Sequence, residues 1–245
     1  MSEIVAIVEG PTEQTFVRGV LAAHLGRWGV SIWAVLSGKS RRQGGVRKWE
    51  FARRDIARTL KEGRYCTTMF DFYAMPRDWP GREHAAGLSY EQRGSHVEES
   101  IVQDLAAYIG DTFDRRQFIP YVQVHEFEAL VFADVGQLAE LASTICGSSP
   151  AVLSKRFRAI LENAGDPEAI NDDYRTCPSR RIKDVVPAYR KAANGPIVAG
   201  RIGLNVLREK CRHFGDWLRK LEQVAVPDGA GPDQARGETG PDDTA

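Results

Sequence analysis

Ile4 to Val8 reads IVAIV, and the apolar positions from Phe16 through Val20, Leu21 and Leu25 then recur at helical spacing. The chain therefore opens strand, turn, helix, the first half of a βαβ unit. Ile32 to Leu36 (IWAVL) predicts a second strand, Trp49 to Leu60 a second amphipathic helix, and Cys66 to Phe72 (CTTMFDF) a third strand. Phe118 to Val124 (FIPYVQV) predicts a fourth strand, which runs directly into His125-Glu126-Phe127-Glu128-Ala129-Leu130, where another helix is expected to begin. This alternation predicts an α/β fold with a mostly parallel four-stranded sheet flanked by helices.

Between the third and fourth strands, Pro76 to Gly94 carries Pro, Gly and many charges without apolar periodicity, which predicts an insertion or flexible loop ahead of a helix over 96–109. Beyond Asp134 the pattern turns helical, most clearly over Val152 to Asn163 and Ile202 to Leu221. The expected organisation is an α/β core over 1–135, a helical C-terminal extension over 136–224 packed on that core, and a tail over 225–245. From Pro227 onward the tail is Gly, Pro, Asp and Thr with almost nothing apolar, so it cannot offset its own ordering entropy and disorder is expected.

The 245 residues are 42% hydrophobic and 27% charged, an ordinary globular composition. Lys plus Arg and Asp plus Glu both number 33, so no global field draws the protein to a polyanion, and any such binding must come from local patches. Cys66, Cys146, Cys177 and Cys211 lie far apart without a CxxC pair, and no charged-then-apolar leader opens the chain. These features predict a reducing, cytoplasmic location, with thiols that pack rather than bind zinc. No apolar run is expected to reach the roughly 20 residues that cross a bilayer.

Acids at predicted strand ends are the candidate chemistry. The carboxyl ends of strands in a parallel α/β sheet form the crevice where ligands bind. Glu9 follows five apolar strand residues in Val8-Glu9-Gly10-Pro11-Thr12-Glu13, and a carboxylate there needs a partner such as a metal. Gly10 permits a tight turn, Thr12 is expected to N-cap the helix, and Glu13 sits near its positive dipole end. Capping is the simpler role for the last two.

Asp71 ends the third strand and meets Glu9 at one sheet edge if the two strands are neighbours. Paired carboxylates repel unless a cation or a shared proton intervenes, and oxygen-only ligation suits Mg²⁺ or Mn²⁺. The fourth strand brings His125, Glu126 and Glu128 to the same edge, with Glu126, or whichever acid points back into the crevice, as the choice; the simpler alternative is that His125 and one Glu cap the next helix. HExxH is excluded because position 129 is Ala.

Lys39, Arg41, Arg42, Arg47 and Lys48 lie among Gly38, Gly44 and Gly45, a cationic loop able to grip phosphates or simply a solvated one. Pro178-Ser179-Arg180-Arg181-Ile182-Lys183 and Tyr189-Arg190-Lys191 form a second cationic stretch after Asn171-Asp172-Asp173, either a phosphate contact or a charged helical surface. Trp217 and Leu218 are expected to close the core.

Val8 to Glu13 resembles the opening motif of Toprim domains, found in topoisomerases, bacterial primases and overcoming-lysogenization-defect nucleases. Together with Asp71-Phe72-Tyr73, Pro120-Tyr121, His125 to Leu130, Pro167-Glu168-Ala169-Ile170-Asn171, Pro178-Ser179-Arg180-Arg181 and the Ile202-Gly203 to Trp217 ending, the ordered series is similar to the bacterial domain-of-unknown-function 4276 family over roughly residues 3 to 222. The resemblance implies a Toprim-like fold and a Mg²⁺-dependent (or Mn²⁺-dependent) nuclease acting on nucleic acid, either DNA or RNA, with DNA the first choice. It also implies an ABC-type or AAA-type ATPase partner encoded nearby, in an anti-phage or genome-maintenance setting.

One departure stands out: Toprim domains usually carry Asp-x-Asp on the third strand, and here Tyr73 replaces the second acid. Glu126 is then expected to complete a triad with Glu9 and Asp71 as catalytic and metal-ligating residues. Glu13, His125 and Glu128 are the surrounding polar groups, and Lys39, Arg42, Arg180 and Arg181 the phosphate-binding cations. The alternative is a catalytically degenerate Toprim module that binds or regulates an ATPase.

Overall fold

A computed structural model describes residues 2–38, 48–170 and 176–224. The cationic loop of Lys39, Arg41, Arg42 and Arg47, the Asn171-Asp172-Asp173 segment and the 225–245 tail lie outside the described residues.

Three strands, β1 (Ser2–Val8), β2 (Val30–Leu36) and β3 (Tyr65–Asp71), run parallel in the order β2-β1-β3. Val8 stands level with Leu36 on one side and Met69 on the other, so Glu9 emerges at the middle of the carboxyl edge. The predicted fourth strand is present in two short pieces, β4 (Phe118–Ile119) and β5 (Val122–Gln123), each parallel to β3. Pro120 causes the break, because it has no N–H to give a ladder. Side chains of β3 bridge the gap. Thr67 Oγ1 donates to the Ile119 carbonyl, and Thr68 Oγ1 both accepts from Tyr121 N at 2.9 Å and donates to Tyr121 O at 3.0 Å.

Helices cover both faces. After β1 come α1 (Pro11–Phe16), a π-helical turn (Val17–Leu21) and α2 (Ala22–Gly26). The cap of α1 is Gly10, with Pro11 in the first turn, so Thr12 does not cap as expected; it is buried inside the helix. After β2 comes α3 (Trp49–Lys61).

Within the predicted loop over 76–94, α4 (Arg82–Ala85) forms and α5 (Tyr90–Ile109) already begins, six residues ahead of the expected start. Trp79 anchors this region, its ring centroid 5.0 Å from those of both Trp49 and Phe70. A single buried aromatic fixes a segment without leaving any periodicity to read.

His125 to Leu130 does not open an α-helix. Phe127–Asp134 is a 3₁₀ helix, and α6 (Val135–Cys146) starts only after Asp134, whose carboxylate accepts from Gly136 N at 2.9 Å and Gln137 N at 3.1 Å. Phe127–Cys146 together makes a 20-residue helical stretch apolar enough to cross a membrane, against the expectation that none exists, and half of it is buried inside the fold.

Next come α7 (Pro150–Ala164), α8 (Pro178–Val185), α9 (Lys191–Ile202), α10 (Leu204–Lys210) and α11 (Arg212–Gln223). The predicted helix over 202–221 is thus two helices meeting at Cys211.

Alternate residues of β1 face different helical layers, which is why its sequence is apolar throughout. Ile4, Ala6 and Val8 join Phe16, Leu21, Val198, Phe214 and Trp217 on one face, while Val5 and Ile7 join Trp49, Ile56, Phe70, Val97 and Ile101 on the other. Trp217 fastens the C-terminal helices to the sheet, as its role in the core predicts. Its indole donates to Thr67 Oγ1 at 2.8 Å and stacks on Tyr121 at 4.4 Å and 15°. None of the four cysteines forms a disulfide.

Candidate active site at the carboxyl edge of the sheet

Glu9 leaves β1 with its backbone still in the sheet, its N–H donating to Met69 O at 3.2 Å, and its Oε2 accepts from Asp71 N at 3.0 Å. The two acids expected at one edge are therefore joined by a hydrogen bond across β1 and β3. Asp71 is 6% exposed, and its Oδ1 has no hydrogen-bond partner among the described residues. Gly10 lets the chain turn directly under Glu13: a Cβ there would stand 3.2 Å from Glu13 Oε2. Glu13 is buried and accepts backbone hydrogen bonds at its own position and at Gly10.

From the other side, Glu126 Oε2 accepts from Ser179 N, in the first turn of α8, at 3.0 Å, and its Oε1 lies 3.2 Å from Lys191 Nζ. The fully buried Glu128 places Oε2 3.2 Å from the same amine. Lys191, the first residue of α9, thus gathers two acids and also faces Glu9, Glu13 and Asp71 electrostatically.

The protonation behaviour follows from this crowding. Burial pushes the Glu9 carboxyl up to about 7, with Glu13 and Glu126 adding to the rise and the Asp71 amide and Lys191 opposing it. Burial, then Glu9 and Glu13, holds Asp71 well above the usual carboxylate range, and Glu13 is raised, chiefly by burial. Glu128 is likewise lifted by burial to about 7 despite Lys191. For Glu126 burial acts upward, but Lys191 and Ser179 outweigh it and hold the carboxyl below its ordinary value. Lys191 is held charged: burial disfavours the ammonium, and Glu128, Asp71 and Glu126 more than compensate.

Of the residues expected here, Glu9, Asp71, Glu13, Glu126 and Glu128 come together. His125 is buried beside them, at 1% exposure. The expected phosphate-binding arginines bond elsewhere, Arg180 to Asp184 at 3.3 Å and Arg181 to Thr176 O at 2.7 Å. Lys39 and Arg42 lie outside the described residues.

Lys191 belongs to the second cationic stretch but was not singled out; nothing in its local sequence separates it from Arg190. Among the described residues no three His, Cys, Asp or Glu side chains stand where they could share one metal ion. A further buried acid, Glu168, stands in one of the sequence motifs without a role assigned to it there. Glu168 accepts from His213 N at 2.9 Å and Phe214 N at 3.1 Å, and the His213 ring meets Glu98 at 2.7 Å.

The fold and this edge define an α/β protein with a carboxylate-rich crevice at the ends of parallel strands. The chain belongs to the family described as "Domain of unknown function (DUF4276)", whose model matches residues 8–222. The C-terminal region of the Burkholderia pseudomallei OLD protein is similar to it in structure, at 15% sequence identity and a TM-score of 0.45, covering 91% of this chain and 98% of that one. None of the curated proteins matches.

Proposed function

We propose that this protein is a Mg²⁺- or Mn²⁺-dependent nuclease of Toprim type that hydrolyses nucleic-acid phosphodiesters at the Glu9–Asp71 edge. The observation that carries the proposal is the pair itself. Asp71 keeps a buried carboxylate oxygen without a partner, beside a Glu9 carboxylate whose charge burial disfavours. A buried acid oxygen without a partner, in a group whose charge burial disfavours, is satisfied by a proton or by a cation.

The donors are all oxygens, as a hard divalent ion requires, and such an ion is commonly held by one or two carboxylates with water and substrate phosphate completing its shell. Two protein donors fit that pattern, and Glu126, with its oxygens on Ser179 and Lys191, is assigned here to positioning Lys191 rather than to the ion. When bound, the ion would polarise the phosphoryl group and acidify an attacking water.

This chain's own residues account for the rest. The Asp71 amide orients Glu9. Burial raises the Glu9 carboxyl to about 7, so uptake of the ion near neutral pH would be accompanied by loss of its proton. Lys191, fixed between Glu126 and Glu128, presents positive charge towards the developing negative charge on the phosphoryl oxygens. Glu126 and Glu128 are positioning residues for that amine.

Purified protein incubated with DNA and with RNA, in Mg²⁺, Mn²⁺ or EDTA, tests the reading. Metal-dependent cleavage that survives Glu9→Gln combined with Asp71→Asn overturns the assigned site.

A second reading, a non-catalytic module that docks on a partner ATPase, is favoured by the half-buried Tyr73 in place of the second strand acid and by the fact that, among the described residues, no three acids are placed to share one metal ion. Co-purification with an ATPase, with no metal-dependent cleavage even in the complex, supports it.

A further inference from the structure

A cleft of about 840 Å³ runs along the outer edge of β2, between α1 with its π-helical turn on one side and α3 on the other. Among the described residues β2 pairs with β1 alone, so this edge carries no further strand, and the carbonyl of Ala34 on it accepts from Gln14 Nε2 at 3.5 Å. Three exposed guanidinium groups line the cleft, Arg18 from the π-helical turn and Arg54 and Arg58 from α3. The half-buried Phe51 ring lies among them, with the Arg54 guanidinium 5.6 Å from its centroid.

The counter-charges are weak or committed. Arg54 meets Glu50 at 2.7 Å, but both side chains are 59% exposed, and such a surface pair contributes only about 0–1 kcal/mol. Asp55, which lies 3.7 Å from Arg58, already accepts from Gly38 N at 3.0 Å. Arg18 makes no ion pair among the described residues. The cleft reaches the carboxyl end of β2, next to that of β1: Leu36 and Gly38 line it, and Ser37 N donates to Val8 O at 3.0 Å, one residue before Glu9.

We infer that this cleft binds a single strand of nucleic acid, with successive phosphates on Arg18, Arg54 and Arg58 and a base stacked on Phe51, and so feeds the strand to Glu9 and Asp71; this rests on the nuclease reading. The chemistry selects the occupant. Guanidinium groups spaced along a groove suit a repeating phosphodiester, and an aromatic ring among them suits a base, the combination used where single strands are bound without sequence preference. With a net charge of zero, the molecule has no overall field to do this, so a local cationic groove is what makes binding possible.

The test is binding of a fluorescent single-stranded DNA oligonucleotide to the full chain in EDTA, across a salt series, so that no cleavage intervenes. Each phosphate contact on a single strand contributes about 0.7 to the slope of log affinity against log salt. The triple variant Arg18→Ala, Arg54→Ala, Arg58→Ala should therefore flatten the slope by about 2, and the corresponding triple lysine variant should retain it. Phe51→Leu should weaken binding about fivefold or more with the slope unchanged.

A control triple of exposed residues outside the cleft, Arg116→Ala, Arg158→Ala and Arg219→Ala, should leave affinity and slope alone. An alanine triple that binds like the wild type, a control triple that loses as much, or a wild type that binds no single strand overturns the proposal. Failure of the nuclease reading appears separately, as absent or Glu9-independent cleavage, because the binding measurement involves neither metal nor turnover.

Discussion

The Asp71 amide donates to Glu9 Oε2 at 3.0 Å, so the backbone at the end of β3 sets the direction of the acid at the end of β1. Glutamine at position 9 keeps an oxygen for that amide but cannot bear charge. Because burial already brings the Glu9 carboxyl to about 7, the folded protein has little to lose when the charge goes. Glu9→Gln is therefore expected to shift unfolding free energy by less than about 1 kcal/mol, the scale of a retained neutral hydrogen bond, while metal-dependent cleavage falls at least about 100-fold. Urea melts and single-turnover cleavage check the two halves, and a variant that cleaves normally removes Glu9 from the chemistry.

Lys191 is shared by Glu126 and Glu128, at 3.2 Å from each. Lys191→Met keeps the aliphatic stem and leaves both acids without their counter-charge. Removing one partner of a fully buried pair costs about 3–5 kcal/mol; about a third of this side chain reaches solvent, so roughly 2 kcal/mol is expected at pH 8. At pH 6 the loss should be smaller, since Glu128, already raised to about 7, is then protonated in the folded protein and needs no counter-ion. Chemical denaturation of both proteins at the two pH values measures this, and an equal loss at both would mean that Lys191 acts through packing.

The strands were legible because β1, β2 and β3 are short apolar runs whose register follows from simple βαβ connection, and that alone put Glu9 and Asp71 at one edge. The fourth strand was legible only as a location. Pro120 announces that a ladder cannot continue, but not that Thr67 and Thr68 would bridge the break. Lys191 was not legible, because its importance comes from α9 folding back over the edge, a tertiary fact with no local pattern. Trp79 escaped for the same reason, and Glu168, though part of a recognised motif, gave no sign of its role; each is a single buried group whose partners are distant in sequence.

His213 offers a pH dependence that does not involve the acidic edge. Burial works against the imidazolium, yet Glu98 at 2.7 Å and then Glu168 outweigh it and raise the His213 value above its ordinary one, with Lys220 opposing. A histidine raised on folding contributes stability that is fully present below its unfolded value of about 6.5 and is lost as the pH climbs through the raised value. The wild type should therefore lose stability from about pH 6.5 upward by a component that His213→Gln lacks. The buried acids contribute a fall of their own, so the quantity to read is the difference between the two denaturation profiles. A difference that does not vary with pH would show that the ion pair is not formed.

Two glycines in the C-terminal helices separate the effects of helix propensity and close packing. At Gly215 in α11 a Cβ would stand 2.6 Å from the Arg208 carbonyl oxygen of α10, a backbone atom that cannot swing aside. At Gly200 in α9 the nearest atom would be Val20 Cγ2 at 3.4 Å, an ordinary contact. Alanine gains about 1 kcal/mol over glycine inside a helix, whereas forcing extra volume into a tight contact costs about 1–3 kcal/mol or more. Gly200→Ala should thus stabilise the protein by up to about 1 kcal/mol, and Gly215→Ala should destabilise it by about 2 kcal/mol, since the clash outweighs the propensity gain. Urea unfolding midpoints at constant slope decide it. A Gly215→Ala protein as stable as the wild type would mean that α10 and α11 can separate without cost, and that the turn at Cys211 is looser than their close approach implies.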